Sequence, residues 1–385
     1  MKKEISEFNV MRSIAIIIIF FHHLKDYIIN FYNLNNFGIN ADMSFINTLN
    51  RYFGLGIFIF ISGFLLEFNN QGIKGFKGVV NFLSKRYIRI IPLYFIAYCC
   101  FIFLFRNTID HLNFFSILVH LLGLQVILSS KYCDPVQTLW YVGLILGYYY
   151  IFTIISQCGN SKIRMSVVIC LIVVLWLLGK MFLGIGDYRF ILYLPVFISG
   201  IISARTELLE KINLKRFLFS FFSLVVIATM YIVFIYPKTV LFIPAKPALF
   251  STISFADIII LNVIMFLTVI NAYFLSKLSK NIKQSKFIGF ISYSSFCVYL
   301  FHRPILTILL QIYCPADKSL KALYVIFCGL PLVLIAGYFI QKQYDSFFLP
   351  KIKNGFKPIN LRVLVCPTAK HKKGYSGQGQ ALSLQ

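Results

Sequence analysis

The sequence predicts an all-α integral membrane protein with about ten transmembrane helices, one re-entrant or interfacial segment and both termini cytoplasmic. Three observations predict it. The 385 residues are 59% hydrophobic and 13% charged, with 42 Phe and 23 Tyr, whereas a soluble domain averages about 45–50% apolar and about 25% charged residues. Ten apolar runs are long enough to cross a hydrocarbon core of roughly 30 Å. The basic residues, 37 against 13 acidic for a formal charge of +24, collect in alternate connections. A soluble fold of this length cannot enclose so much apolar surface, which sets aside soluble enzymes and nucleic-acid-binding proteins. The same composition excludes a disordered chain.

The runs lie near 10–30, 48–68, 88–106, 139–157, 165–183, 188–204, 217–236, 250–274, 288–309 and 322–342. The first is read as a retained span, because no small-residue cleavage site follows a short hydrophobic core. A further stretch, 113–129, is shorter and contains His120 and Gln125. Charge decides its status. If it does not cross, Lys74, Lys77, Lys85, Arg86, Arg89, Arg205, Lys211, Lys277, Lys286 and the basic tail from Lys342 share one side with both termini. If it crosses, the later clusters are exported, against the positive-inside bias. The stretch is therefore expected to be re-entrant or interfacial on the outer side.

Residues 1–345 are expected to form the transmembrane domain and 346–385 a basic cytoplasmic tail, partly disordered. The nine Cys include no CxxC pair and no Cys/His cluster, so reduced thiols are expected, with no metal site. No solenoid or half-to-half repeat is visible.

Several segments carry chemistry. In the first run, Arg12 and His23 are eleven positions apart. That is about three helical turns, which puts them on nearly one face about 16 Å apart along the axis. An ionisable group inside a membrane is a functional candidate, and histidine titrates near neutrality. The alternative is a packing histidine beside a snorkelling arginine. In the second run, Gly54, Gly56, Ser62 and Gly63 allow close helix packing. Lys85, Arg86 and Arg89 cluster before Pro92; guanidinium groups suit phosphates, while headgroup anchoring is the simpler reading. The aromatic cluster from Trp140 reads as an outer interfacial belt. His302 and Arg303 close a late run as anchors or as the lining of an acceptor site. At this level an enzyme and a transporter or flippase for polysaccharide or lipid-linked sugar both remain open.

Taken in order, these segments resemble membrane acyltransferase family 3, the bacterial integral-membrane O-acyltransferases of surface glycans. The resemblance rests on Arg-x10-His (Arg12, His23) and a Phe-x-x-Ser-Gly-like motif (Phe60, offset by one, with Ser62 and Gly63). It continues through Arg-x-x-Arg then Pro (Arg86, Arg89, Pro92), Leu-Trp (Leu139, Trp140), and Ser-Tyr…Tyr-Leu-x-His-x-Pro (Ser292, Tyr293, Tyr299, Leu300, His302, Pro304). The set spans about residues 8–345. Ile145 and Leu146 stand where many members carry acidic residues, and Phe58-Ile59-Phe60 replaces Phe-Phe.

The resemblance implies transfer of an acetyl or other acyl group from cytoplasmic acyl-CoA to a hydroxyl of a cell-surface or lipid-linked polysaccharide. Acetyl-CoA is then a co-substrate and no cofactor is permanently bound. The implied location is the bacterial inner membrane, with lipid, acyl-CoA and a glycan as partners, no nucleic acid, and an oligomer left open. His23 is implied as general base, paired with Arg12. Lys85, Arg86 and Arg89 are implied to hold the CoA phosphates, with Ser62, Trp140, Tyr293 and His302 as active-site support.

Overall fold

In lipid each backbone N–H and C=O must be satisfied within its own segment, so apolar runs of this length become helices. The computed structural model describes residues 5–27, 44–70, 73, 75–105, 114–129, 133, 136–159, 161–235, 255–279 and 285–355. The helices are α1 (Ser6–Tyr27), α2 (Ser44–Asn69), α3 (Gly75–Leu104), α4 (Phe114–Leu121), α5 (Trp140–Gln157), α6 (Lys162–Leu178) and α7 (Tyr188–Thr206). They continue with α8 (Leu214–Met230), α9 (Phe255–Leu278), α10 (Lys286–Ile312), α11 (Lys318–Tyr324), α12 (Leu330–Gln343) and α13 (Leu349–Gly355). π-helical turns at Val325–Gly329 and Tyr344–Phe348 join the last three into one span, Ser319–Ile352. Among the described residues, ten helical segments are long and apolar enough to cross a membrane, and they coincide with the ten runs. The boundary expected at 345 falls inside the last of these segments, and residues from 356 onward lie outside the described ones.

The 113–129 stretch does not cross. After the eight residues of α4 the chain reverses at Gly123, whose φ is +69°. Val126 and Ser129 carbonyls then accept from the amides of Asp187 and Gly186. Gln125 is fully buried; its Nε2 donates to Tyr94 Oη at 3.2 Å, and its amide packs on Gly143. The polar residues that made this stretch look short are thus the ones that anchor it.

Helix starts follow local chemistry. Ser161, Asp187, Asn213, Ser285 and Asp317 each accept a backbone N–H with their side chains, at the heads of α6, α7, α8, α10 and α11, satisfying donors that a helix leaves orphaned. Pro92 lies inside α3. Proline lacks the N–H that would bond the carbonyl four residues back. That carbonyl, on Ile88, instead accepts from the Tyr344 hydroxyl. A defect in one helix thereby becomes its link to the last span.

Among the described residues, α2 and α7 share the most extensive contact of any helix pair. Gly63 faces the Phe197 carbonyl and Gly200 faces that of Phe60, each so closely that a Cβ would overlap it. Below this contact Arg205 grips Glu67 with two hydrogen bonds, Nε to Oε1 at 2.9 Å and Nη2 to Oε2 at 3.2 Å. Gly63→Ala must wedge the two backbones apart, and overpacking of this kind costs about 1–3 kcal/mol. Thermal unfolding of the detergent-solubilised variant is expected at a lower Tm; an unchanged Tm would contradict the close approach. By contrast α6 buries only Met165 and Trp176, and α8 only Ser220.

Candidate functional site

The site is built on α1 and α10, which run in the same direction. Ser13 Oγ donates to the carbonyls of Asn9 (2.9 Å) and Ile288 (3.2 Å), and Ser292 Oγ donates to Asn9 Oδ1 (3.0 Å). At the far end the Tyr27 hydroxyl donates to the Arg303 carbonyl at 3.2 Å. The seam is therefore fixed above and below, and residues along it keep their relative heights. Pro304 follows Arg303 and leaves the Leu300 carbonyl without its helical N–H.

Two chambers open beside this seam. The first, about 370 Å³, is lined by Arg12, Arg86, Arg89, Ser62, Tyr293 and Tyr299 among others. That volume lies within the roughly 300–1,000 Å³ of small-molecule sites. The described lining residues include three guanidinium groups and no carboxylate. Arg86 lies over the rings of Phe82 and Tyr149, at 5.3 and 5.7 Å from their centroids, which holds its charge toward the chamber. Arg89 is exposed at the rim. Tyr293 donates to Asp345 Oδ2 at 2.7 Å.

The second chamber, about 260 Å³, is lined by His22, His23, Arg51, Gln137, Trp140, Arg303 and Tyr299 among others. His23 Nδ1 lies 3.1 Å from Arg303 Nη2, and Arg303 Nη1 donates to Gln137 Oε1 at 3.1 Å. The His23 ring lies tilted against His302, with centroids 5.1 Å apart and planes 31° apart. His302 is 1% exposed, and its Nδ1 donates to the Tyr299 carbonyl at 2.8 Å; a carbonyl only accepts, so Nδ1 carries the proton. Gln137 holds a φ of +24°, uncommon for a residue with a Cβ.

Tyr299 stands in the wall of both chambers. Its hydroxyl donates to the Thr138 carbonyl and its ring meets Tyr141 edge-on at 5.0 Å. The arginine and histidine chambers are thus neighbours across one aromatic side chain.

The structure brings Arg12, Arg86, Arg89, Ser62 and Tyr293 together in the first chamber, and His23 and Trp140 in the second. His302 backs His23 from behind. Lys85 is exposed and is not in the lining of either chamber. Ser62 belongs to the arginine chamber and not to that of His23. The aromatic cluster after Leu139 does not form an interfacial belt. Trp140 is 7% exposed, Tyr148 is fully buried, and the Arg189 guanidinium lies 4.3 Å above the Trp140 ring. Sequence reasoning missed Arg51 and Gln137. For Arg51 a signal existed: an arginine heading an apolar run at the end otherwise poor in positive charge. For Gln137 none did.

Among the described residues, ten helices apolar enough to cross a membrane, with two polar chambers between some of them, define a multi-pass membrane protein with reactive groups between its helices. The family profile described as an acyltransferase domain, that of acyltransferase family 3, matches residues 5–342. The chain therefore belongs to membrane acyltransferase family 3 and is a membrane acyltransferase. Comparison with curated proteins and with solved structures gave no match.

Proposed function

We propose that the chain moves an acetyl group from cytoplasmic acetyl-CoA to a hydroxyl of a surface or lipid-linked polysaccharide, across the bacterial inner membrane. The observation that carries this reading is the pair of chambers meeting at Tyr299. In the first, Arg86 and Arg89, with Arg12, hold the CoA phosphates by charge-assisted hydrogen bonds. Both termini and this chamber's mouth are then cytoplasmic. The pantetheine arm lies between the helices, its thioester at the Tyr299 wall. In the second chamber the acceptor hydroxyl gives its proton to His23 as its oxygen attacks the thioester carbonyl. The new C–O bond forms, the C–S bond breaks, and the proton passes from His23 to the departing thiolate. His302 supports the His23 ring, and Trp140 forms part of the acceptor wall. Mass spectrometry of surface glycans from cells with and without the protein tests the reading. The expected result is loss of an acetyl mass in its absence; an unchanged glycan overturns it.

Tyr299 then keeps acceptor-side water from the thioester, since excluding water suppresses hydrolysis of a reactive donor. Tyr299→Ala is expected to raise the ratio of free CoA released to acetyl transferred, and Tyr299→Phe to leave that ratio near wild type. Equal ratios in all three proteins would remove this role.

A further inference from the structure

We infer that the histidine chamber takes an acceptor bearing an oxyanion, a carboxylate or a phosphate, recognised by Arg51 and Arg303. This rests on the acyltransferase reading and names its acceptor class. Arg51 and Arg303 converge on this chamber with His22 and His23, and the described lining residues include no Asp or Glu. Arg51 gives its Nη2 to Tyr52 Oη at 3.1 Å and lies 5.0 Å from that ring, while its Nε is buried with no hydrogen-bond partner among the described residues. Buried guanidinium groups are normally paired with an anion. The neighbouring Arg189 obeys this: Asp187 takes its Nε at 2.8 Å and also bonds its Nη2. Among the described residues a carboxylate thus meets Arg189, where neutralisation is permanent, and only a phenol meets Arg51.

Arg303 ties this anion site to the chemistry. A guanidinium can only donate, so His23 Nδ1 accepts from it, and the proton of the neutral ring sits on Nε2. Nδ1 is therefore the lone pair that must take the acceptor's proton, and Arg303 covers it. A hydrogen bond from a guanidinium to an oxyanion is about twice as strong as one to a neutral acceptor. An oxyanion arriving beside Arg303 draws Nη2 away from the ring and exposes Nδ1 to the acceptor hydroxyl. The acceptor's own charge arms the base, and Arg303 acts as a positioning residue.

The test uses the purified full-length protein in lipid nanodiscs with acetyl-CoA and three oligosaccharides of matched length: one with a uronate, one with a phosphodiester, one neutral. At least one anionic acceptor is expected to show kcat/KM about 10–100-fold above the neutral one, the range for a charged hydrogen bond in a buried site. The preferred one names the anion's source. Arg51→Gln and Arg303→Gln are expected to erase the preference while acetyl-CoA affinity, which reports an intact fold, stays unchanged. Should either variant fail to fold, Arg51→Lys and Arg303→Lys keep the charge and should retain part of the preference. A neutral acceptor used as well as both anions overturns the inference, as does a preference that survives both substitutions. If no acceptor is acetylated, the acyl-transfer reading fails, and binding decides the anion site alone. In Trp176→Phe protein, glucuronate or glucose phosphate should then quench Trp140 where glucose does not; no difference overturns the site.

Discussion

A His23→Ala protein is expected to fold normally and to lose nearly all acetyl transfer. The imidazole is the proton acceptor in the proposed step, and a positioned base contributes about 10²–10⁴-fold. Its removal deletes one ring from the wall of a chamber and leaves the Ser13, Ser292 and Tyr27 bonds that hold α1 to α10 in place. The measurement is transfer of labelled acetyl from acetyl-CoA to the glycan, beside a thermal unfolding curve. Near-wild-type transfer by well-folded His23→Ala protein would remove His23 from the reaction. A second ring is at hand, but His302 is 1% exposed and is in the lining of neither chamber, so it does not stand in for the lost base.

Arg86→Ala and Arg89→Ala are expected to weaken acetyl-CoA binding by about 10–100-fold each, the scale of a charge-assisted hydrogen bond. The effect should fall on KM for the donor, with kcat at saturation little changed, because the phosphates lie far from the bonds being broken and their grip is felt equally in ground and transition states. The fold should be less affected, since Arg89 is exposed and Arg86 makes its described contacts with aromatic faces. Direct binding to the purified protein checks this; unchanged affinity in both variants would dismiss the first chamber as the donor site. Lys85, outside that chamber's lining, gives a matched control of equal charge.

Much of the fold was legible in the sequence because the membrane imposes one dominant requirement. Ten runs of apolar residues had to be helices, and the charge of the connections decided that 113–129 turned back. Part of the site was legible for a related reason: Arg12, His23, Arg86, Arg89 and His302 are polar groups that lipid would penalise. What failed was the direction in which aromatic residues face. Trp140 and its neighbours read equally well as a belt or as a core, because Tyr and Trp satisfy both settings, and only packing against α7 decided for the core. Ser62 was read as active-site support, and helix rotation and depth place it in the arginine chamber, outside the lining around His23. Gln137 carried no signal, since its role depends on an unusual backbone angle and on an arginine 166 positions away.

The sparse burial of α6 and α8 bears on how this chain can change over time. More than half of their side chains look outward, so on those faces the surrounding hydrocarbon is the main neighbour, and it demands greasiness without demanding shape. Leu, Ile, Val and Phe can replace one another there at little consequence, and these two stretches can drift freely while α2, α7 and the α1–α10 seam stand still.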